Sequence, residues 1–166
     1  IGILLVDGLA QSIIQKQGSQ GLGTQVTFER LHIGFFDTSS SFHGLTIANP
    51  EGFATEESPT LLLIDKANIR FGLRSLLDKP VVIPNASFTG ITLYLEQADG
   101  KSNIETIVAN VLSDESELDS ESSFTIGTLT LTDITVVASG KFTVVDSGPV
   151  TAHIDEIVLH NLGTAS

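Results

Sequence analysis

The apolar residues of this chain keep a strand period of two, lose it by one residue and regain it, several times over. Phe124 and Ile126 alternate, the phase slips, Leu129 and Leu131 alternate, and it slips again to Ile134 and Val136. Val26/Phe28 followed by Leu31/Ile33 repeats the pattern. Phe88 then Ile91/Leu93/Leu95, and Ile154 then Ile157/Leu159 then Leu162, are looser copies. A strict period of two holds one face of a strand apolar, and a one-residue slip turns every later side chain to the other face. A β-bulge absorbs the extra residue, bends the strand and restores the face. The repeated slip therefore predicts long, bulged, strongly curved antiparallel strands, about five units in a weak internal repeat. The expected fold class is mainly β (a β-rich α+β fold). One curved, bulged antiparallel sheet would form a half-barrel or groove, with an N-terminal helix and one further short helix.

The strand segments read as Val26–Phe36, Ser41–Ala48, Leu61–Gly72, Val81–Glu96, Phe124–Ala138, Lys141–Val145 and Val150–His160, rich in Thr, Val and Ile and broken by Gly, Pro, Asn and Asp. Two short helical stretches interrupt them. Leu73–Leu77 has Pro80 behind it; in Asn103–Leu112 the residues Ile104, Ile107, Val108 and Val111 form one face, and Ser102 or Asn103 can cap it. At the start, Leu5, Leu9, Ile13 and Ile14 make one helical stripe that ends at Gly18, Gly21 and Gly23. Residues 1–22 are expected as an N-terminal helix, packed on the core or continuing out of a membrane anchor. Residues 23–166 form a single β domain with an acidic linker at 114–122. A sheet curled in this way encloses either an ordinary closed core or an open groove for an elongated apolar ligand.

Composition narrows the function classes. Twenty acids against eight bases give a net charge of −12, which opposes binding to a phosphate backbone. With no cysteine, disulfides, thiolate zinc sites and cysteine nucleophiles are excluded. Residues 1–83 carry a net −2 and residues 84–166 a net −10, half of the latter in Asp114–Glu121. That run reads as a solvated linker, since it lacks the spaced Asp ligands and central Gly of a calcium loop. His32, His43, His153 and His160 are scattered without metal-ligand spacing, Ser39-Ser40-Ser41 has no nucleophile-elbow frame, and Gly21-Leu22-Gly23 has no strand before it. No catalytic residue, metal or cofactor is expected, and the chain reads as a non-enzyme.

Gly44-Leu45-Thr46-Ile47-Ala48-Asn49-Pro50-Glu51-Gly52-Phe53 resembles a phrase of the AsmA-like bacterial envelope proteins. Three further motifs follow in that family's order: Ile69-Arg70-Phe71-Gly72-Leu73-Arg74-Ser75-Leu76-Leu77, Val81-Val82-Ile83 through Gly90-Ile91-Thr92-Leu93-Tyr94-Leu95-Glu96, and Gly100-Lys101-Ser102-Asn103-Ile104. The resemblance covers residues 5 to about 112. It implies a membrane-anchored β-groove on the periplasmic side of the inner membrane of a bacterial cell envelope, serving envelope maintenance or lipid movement. Under that reading the N-terminal helix meets the membrane, and Leu31, Ile33, Ile69, Phe71, Ile91, Leu93 and Leu95 line a concave face that binds lipid acyl chains. Another envelope protein is a possible partner. The alternative is a structural subunit of a homopolymeric cell-envelope or extracellular assembly, joined through edge strands.

Overall fold

The structure, a computed structural model, describes residues 2–34, 39–53, 59–70, 81–98, 100–114, 124–140 and 148–163. In chain order the elements are α1 (Gly2–Leu22), β1 (Val26–Thr27), β2 (Arg30–His32), β3 (Ser40–Ala48), β4 (Thr60–Arg70), β5 (Val81–Ala98), β6 (Lys101–Ser102), α2 (Asn103–Asp114), β7 (Phe124–Gly140) and β8 (Val150–Gly163). The strands form one sheet in the order β1-β3-β4-β5-β7-β8, with β2 pairing β3 and β6 pairing β5. Among the described residues the fold is mixed α+β, with two helices and an open sheet that is not strongly curled. Both the half-barrel and the groove are therefore corrected. The expected helix at Leu73–Leu77 and the strand at Lys141–Val145 lie outside the described residues, as does the acidic linker beyond Asp114, which ends α2.

The reason the sheet stays open lies in the slips themselves. Between matched pairs, Gly44, Asp65, Gly90, Asp133 and Asp155 stand side by side in one row across β3, β4, β5, β7 and β8. Six residues along, Pro84, Gly127 and Asn161 make a second row across β5, β7 and β8. A bulge bends a strand because two residues on one side face one on the other. Here each strand contributes its own extra residue at the same place, so the neighbours resume pairing in register. The slip restores the face, as the periodicity demands, without the mismatch that curls a sheet.

The rows carry a conformational rule. Gly44, Gly90 and Asp133 adopt φ of 62°, 68° and 55°, whereas Asp65 and Asp155 between and beside them are not left-handed. In the second row Asn161 has φ 54° and Gly127 is not left-handed. Antiparallel neighbours thus oppose one left-handed residue to one ordinary residue, and the parallel neighbours β5 and β7 match in sign. At Gly90 an added Cβ would run into the Asp65 carboxylate, so the row accepts no side chain there.

Pairing β5 with β7 in parallel, from Val81↔Phe124 to Gln97↔Gly140, is the second correction to an all-antiparallel sheet. The physical cause is the crossover: α2 lies between the two long strands, and a return of this length lets β7 run alongside β5 in the same direction.

Two faces result. On one, the cross-strand rows read Ile64–Ile91–Ile134–Ile154, Leu62–Leu93–Val136–Ala152, Ala67–Phe88–Leu131–Ile157 and Ile69–Ala86–Leu129–Leu159. On the other they read Lys66–Thr89–Thr132–Glu156, Asn68–Ser87–Thr130–Val158 and Arg70–Asn85–Thr128–His160. The helices pack on β1, β2, β5 and β6. The buried apolar positions are Val26 on β1, Phe53 after β3, Leu61, Ile64 and Ala67 on β4, Ala86 on β5 and Ile134 on β7. Phe42 on β3 joins Phe28 edge-on at 5.3 Å and Phe88 at 6.0 Å.

The corner that holds α2 is polar and fully satisfied. Asn103 is 0% exposed. Its Nδ2 donates to Asn49 Oδ1 (2.9 Å) and to the Tyr94 carbonyl (2.8 Å), and its Oδ1 accepts from the amides of Glu96 (3.1 Å) and Ile104 (3.0 Å). Ser102 Oγ accepts from the Glu105 amide and Glu105 Oε2 from the Ser102 amide, a reciprocal capping box. The Asn-Pro and Ser-Asn phrases thus meet in space as a latch, with Pro50 also buried.

From Gln11 to Ser19, α1 meets the sheet through polar side chains. Gln11 and Gln15 donate to the Phe28 carbonyl, Ser19 Oγ accepts from the Val26 amide, and Asn110 of α2 donates to the Leu22 carbonyl. Ile13, on the expected packing stripe, is 55% exposed. Among the described residues no helix is long and apolar enough to cross a membrane. That finding overturns the membrane partner through α1. With it go the inner-membrane, periplasmic placement and the anchored lipid-transport function.

Candidate functional site: an open sheet edge

Among the described residues β8 ends the sheet, with β7 on one side of it. An edge strand presents a row of backbone N–H and C=O groups to whatever comes next, which makes it a template for another strand. Natural edges are usually short, bulged away or covered. β8 has fourteen residues, of which twelve are exposed. Val150 (55%), Ile154 (41%), Val158 (42%) and Leu159 (39%) are large apolar side chains in the open. Ile154 and Leu159 continue the apolar face of the sheet, while Val158 stands on the polar face between Glu156 and His160. The edge therefore offers a long register, an apolar flank and one apolar residue at the end of a cross-strand row that is otherwise Asn, Ser and Thr.

The acyl-chain candidates do not assemble into a groove. Leu31 pairs with Phe42, Ile33 follows the end of β2, and Ile69, Ile91, Leu93 and Leu95 lie on β4 and β5 opposite Ala86, Ile64, Leu62 and Ala138 respectively. All six are half-buried, and Phe71 lies outside the described residues. Among the described residues a cleft of about 300 Å³ lies beside the second row. Ile69 and Ala86 are its apolar lining; the rest is Ser39, Asn68, Arg70, Asn85, Ser87, Thr128 and Thr130.

One polar constellation escaped the sequence. Thr135 Oγ1 lies 3.4 Å from His153 Nδ1, and His153 Nε2 lies 3.3 Å from Asp155 Oδ1 and 3.9 Å from Asp133 Oδ1. The order hydroxyl, imidazole, carboxylate is that of a nucleophile and its base. These groups lie on an open face, with the Asp155 side chain 99% exposed, and they do not line the cleft. Their place is on β7 and β8 beside the first row, where His153 bridges the two strands' carboxylates. Among the described residues no three His, Asp or Glu side chains gather as a metal site. Residue spacing in one strand could not show this grouping, because it forms across two strands.

No family model, curated protein or solved structure matches the chain. The AsmA-like resemblance therefore rests on its four motifs alone.

Proposed function

We propose that the chain is a non-catalytic interaction module whose β8 edge receives a strand from a partner polypeptide. The observation that carries this is the fourteen-residue edge strand, exposed on both faces and flanked by Val150, Ile154, Val158 and Leu159. Strand addition takes its affinity from main-chain hydrogen bonds and its specificity from alternate side chains. β8 supplies both, on a sheet whose register is pinned by two offset rows. Val150, Ile154, Val158 and Leu159 keep 39–55% of their surface to cover, so each offers about half of the roughly 1.5–3 kcal/mol that full burial of such a side chain gives, which adds to the main-chain hydrogen bonds.

The test is fluorescence anisotropy with labelled 14-residue peptides added to the full chain. One carries the sequence Val150–Gly163; the other is a plain Thr/Val alternation without offset residues. Saturable binding of the first, and weaker binding of the second, is expected. Failure of both peptides to bind would overturn the reading.

A further inference from the structure

We propose that the strand taken up by β8 is β8 of a second copy of this chain, paired antiparallel about a two-fold axis through Val158. The proposal rests on the edge reading and commits it to one partner. Its first support is the rule of the offset rows. Asp155 and Asn161 lie three residues to either side of Val158, Asn161 left-handed at φ 54° and Asp155 not. Centred on Val158, the antiparallel pair sets Asp155 against the second copy's Asn161, and Asn161 against its Asp155. Both rows then oppose a left-handed residue to an ordinary one, as every antiparallel neighbour in the two offset rows does.

Side-chain chemistry falls into place in the same register. Ile157 faces Leu159 and Ile154 faces Leu162 on the apolar face. Glu156 faces His160 on the polar face, a carboxylate opposite an imidazole N–H donor, twice per pair. Val158 faces itself, which gives the one exposed apolar residue of that polar row a partner. Parallel pairing of the same strands would set Glu156 against Glu156 and Asp155 against Asp155, like charges directly opposed. It would also turn the second copy's apolar face to the polar side. The antiparallel pair is isologous and closes on itself. It is a closed dimer, not the open-ended polymer the sequence left as an alternative.

The experiment uses the full chain, which has no cysteine. Directly opposed residues of an antiparallel pair have Cα atoms about 4.5–5.5 Å apart, within the span of a disulfide. Val158→Cys should therefore cross-link to a covalent dimer under mild oxidation. Glu156→Cys and His160→Cys, each opposed to the other position, should cross-link little alone and readily when the two variants are mixed. Sedimentation should show a monomer–dimer equilibrium whose dissociation constant rises about tenfold in His160→Glu, two like-charge pairs each costing a factor of a few. The exchange Glu156→Lys with His160→Glu should restore it. A chain that stays monomeric while still binding the Val150–Gly163 peptide would overturn self-pairing and leave the edge reading standing. Faster cross-linking at 156 or 160 alone than at 158 would overturn the register.

Discussion

Replacing Asn103 by alanine removes the latch that joins α2 to β5 and to the 49–50 corner. The side chain is wholly buried and makes four hydrogen bonds, to Asn49 Oδ1, the Tyr94 carbonyl, and the amides of Glu96 and Ile104. A net hydrogen bond contributes about 1 kcal/mol, and a buried group left unsatisfied costs about 1–3 kcal/mol. Allowing the Ile104 amide to find water at the helix start, Asn103→Ala should cost about 3–5 kcal/mol. That is a large share of the roughly 5–15 kcal/mol that holds a domain together. Asn103→Asp should be no better at neutral pH, because its carboxylate would face Asn49 Oδ1 and the Tyr94 carbonyl, both acceptors. Turning the Asn49 amide round to donate would forfeit its hydrogen bond to Glu96. In acid the aspartate variant should recover part of its loss, since a protonated carboxyl regains one donor. Urea unfolding with an unchanged slope gives the magnitude, and amide exchange in α2 locates it. A loss below about 1 kcal/mol in Asn103→Ala would refute the latch argument.

Asp133 holds φ 55° in the first offset row, so Asp133→Gly should be neutral or stabilise by up to about 1 kcal/mol, and Asp133→Val should cost about 1–2 kcal/mol, by urea unfolding. Burial pushes the Glu96 carboxyl above its ordinary value, against the Asn49 hydrogen bond that lowers it. Between the ordinary and the raised value the folded chain holds a proton the unfolded chain has lost, so stability falls as pH rises through that window. The melting temperature of Glu96→Gln relative to the natural chain should therefore climb from acid toward neutral pH; a difference independent of pH would contradict it. Ile13→Glu should change stability by less than about 0.5 kcal/mol because Ile13 is exposed, whereas Gln11→Ala should cost about 1 kcal/mol through its bond to the Phe28 carbonyl, both read by thermal melting.

The slips at 90, 127 and 133 are legible in one strand's apolar pattern, but their consequence is not. Whether Gly90 makes a bulge depends on whether Asp65 and Asp133 supply matching residues opposite, and that is a fact of pairing. Hence the strands were readable and the curl was not. The parallel β5–β7 pair had a signal that the alternation masked: a helix beginning at Asn103 between two long strands is a crossover. α1 misled through its isoleucines, since Gln11 and Gln15 satisfy a backbone carbonyl that no aliphatic side chain could. The edge site was least legible. Periodicity gives β8 an apolar face like any other strand, and only the sheet order leaves it without a second neighbour among the described residues.

Residue-resolved amide exchange along β8 tests the edge most directly. It is measured in the full chain at a concentration where sedimentation shows monomer, without and with excess Val150–Gly163 peptide. The β8 amides turned away from β7 should exchange freely in the monomer and become protected when the peptide is added, while those of β4 should not change. Outward β8 amides already protected in the monomer, or still exchanging freely at saturating peptide, would contradict it.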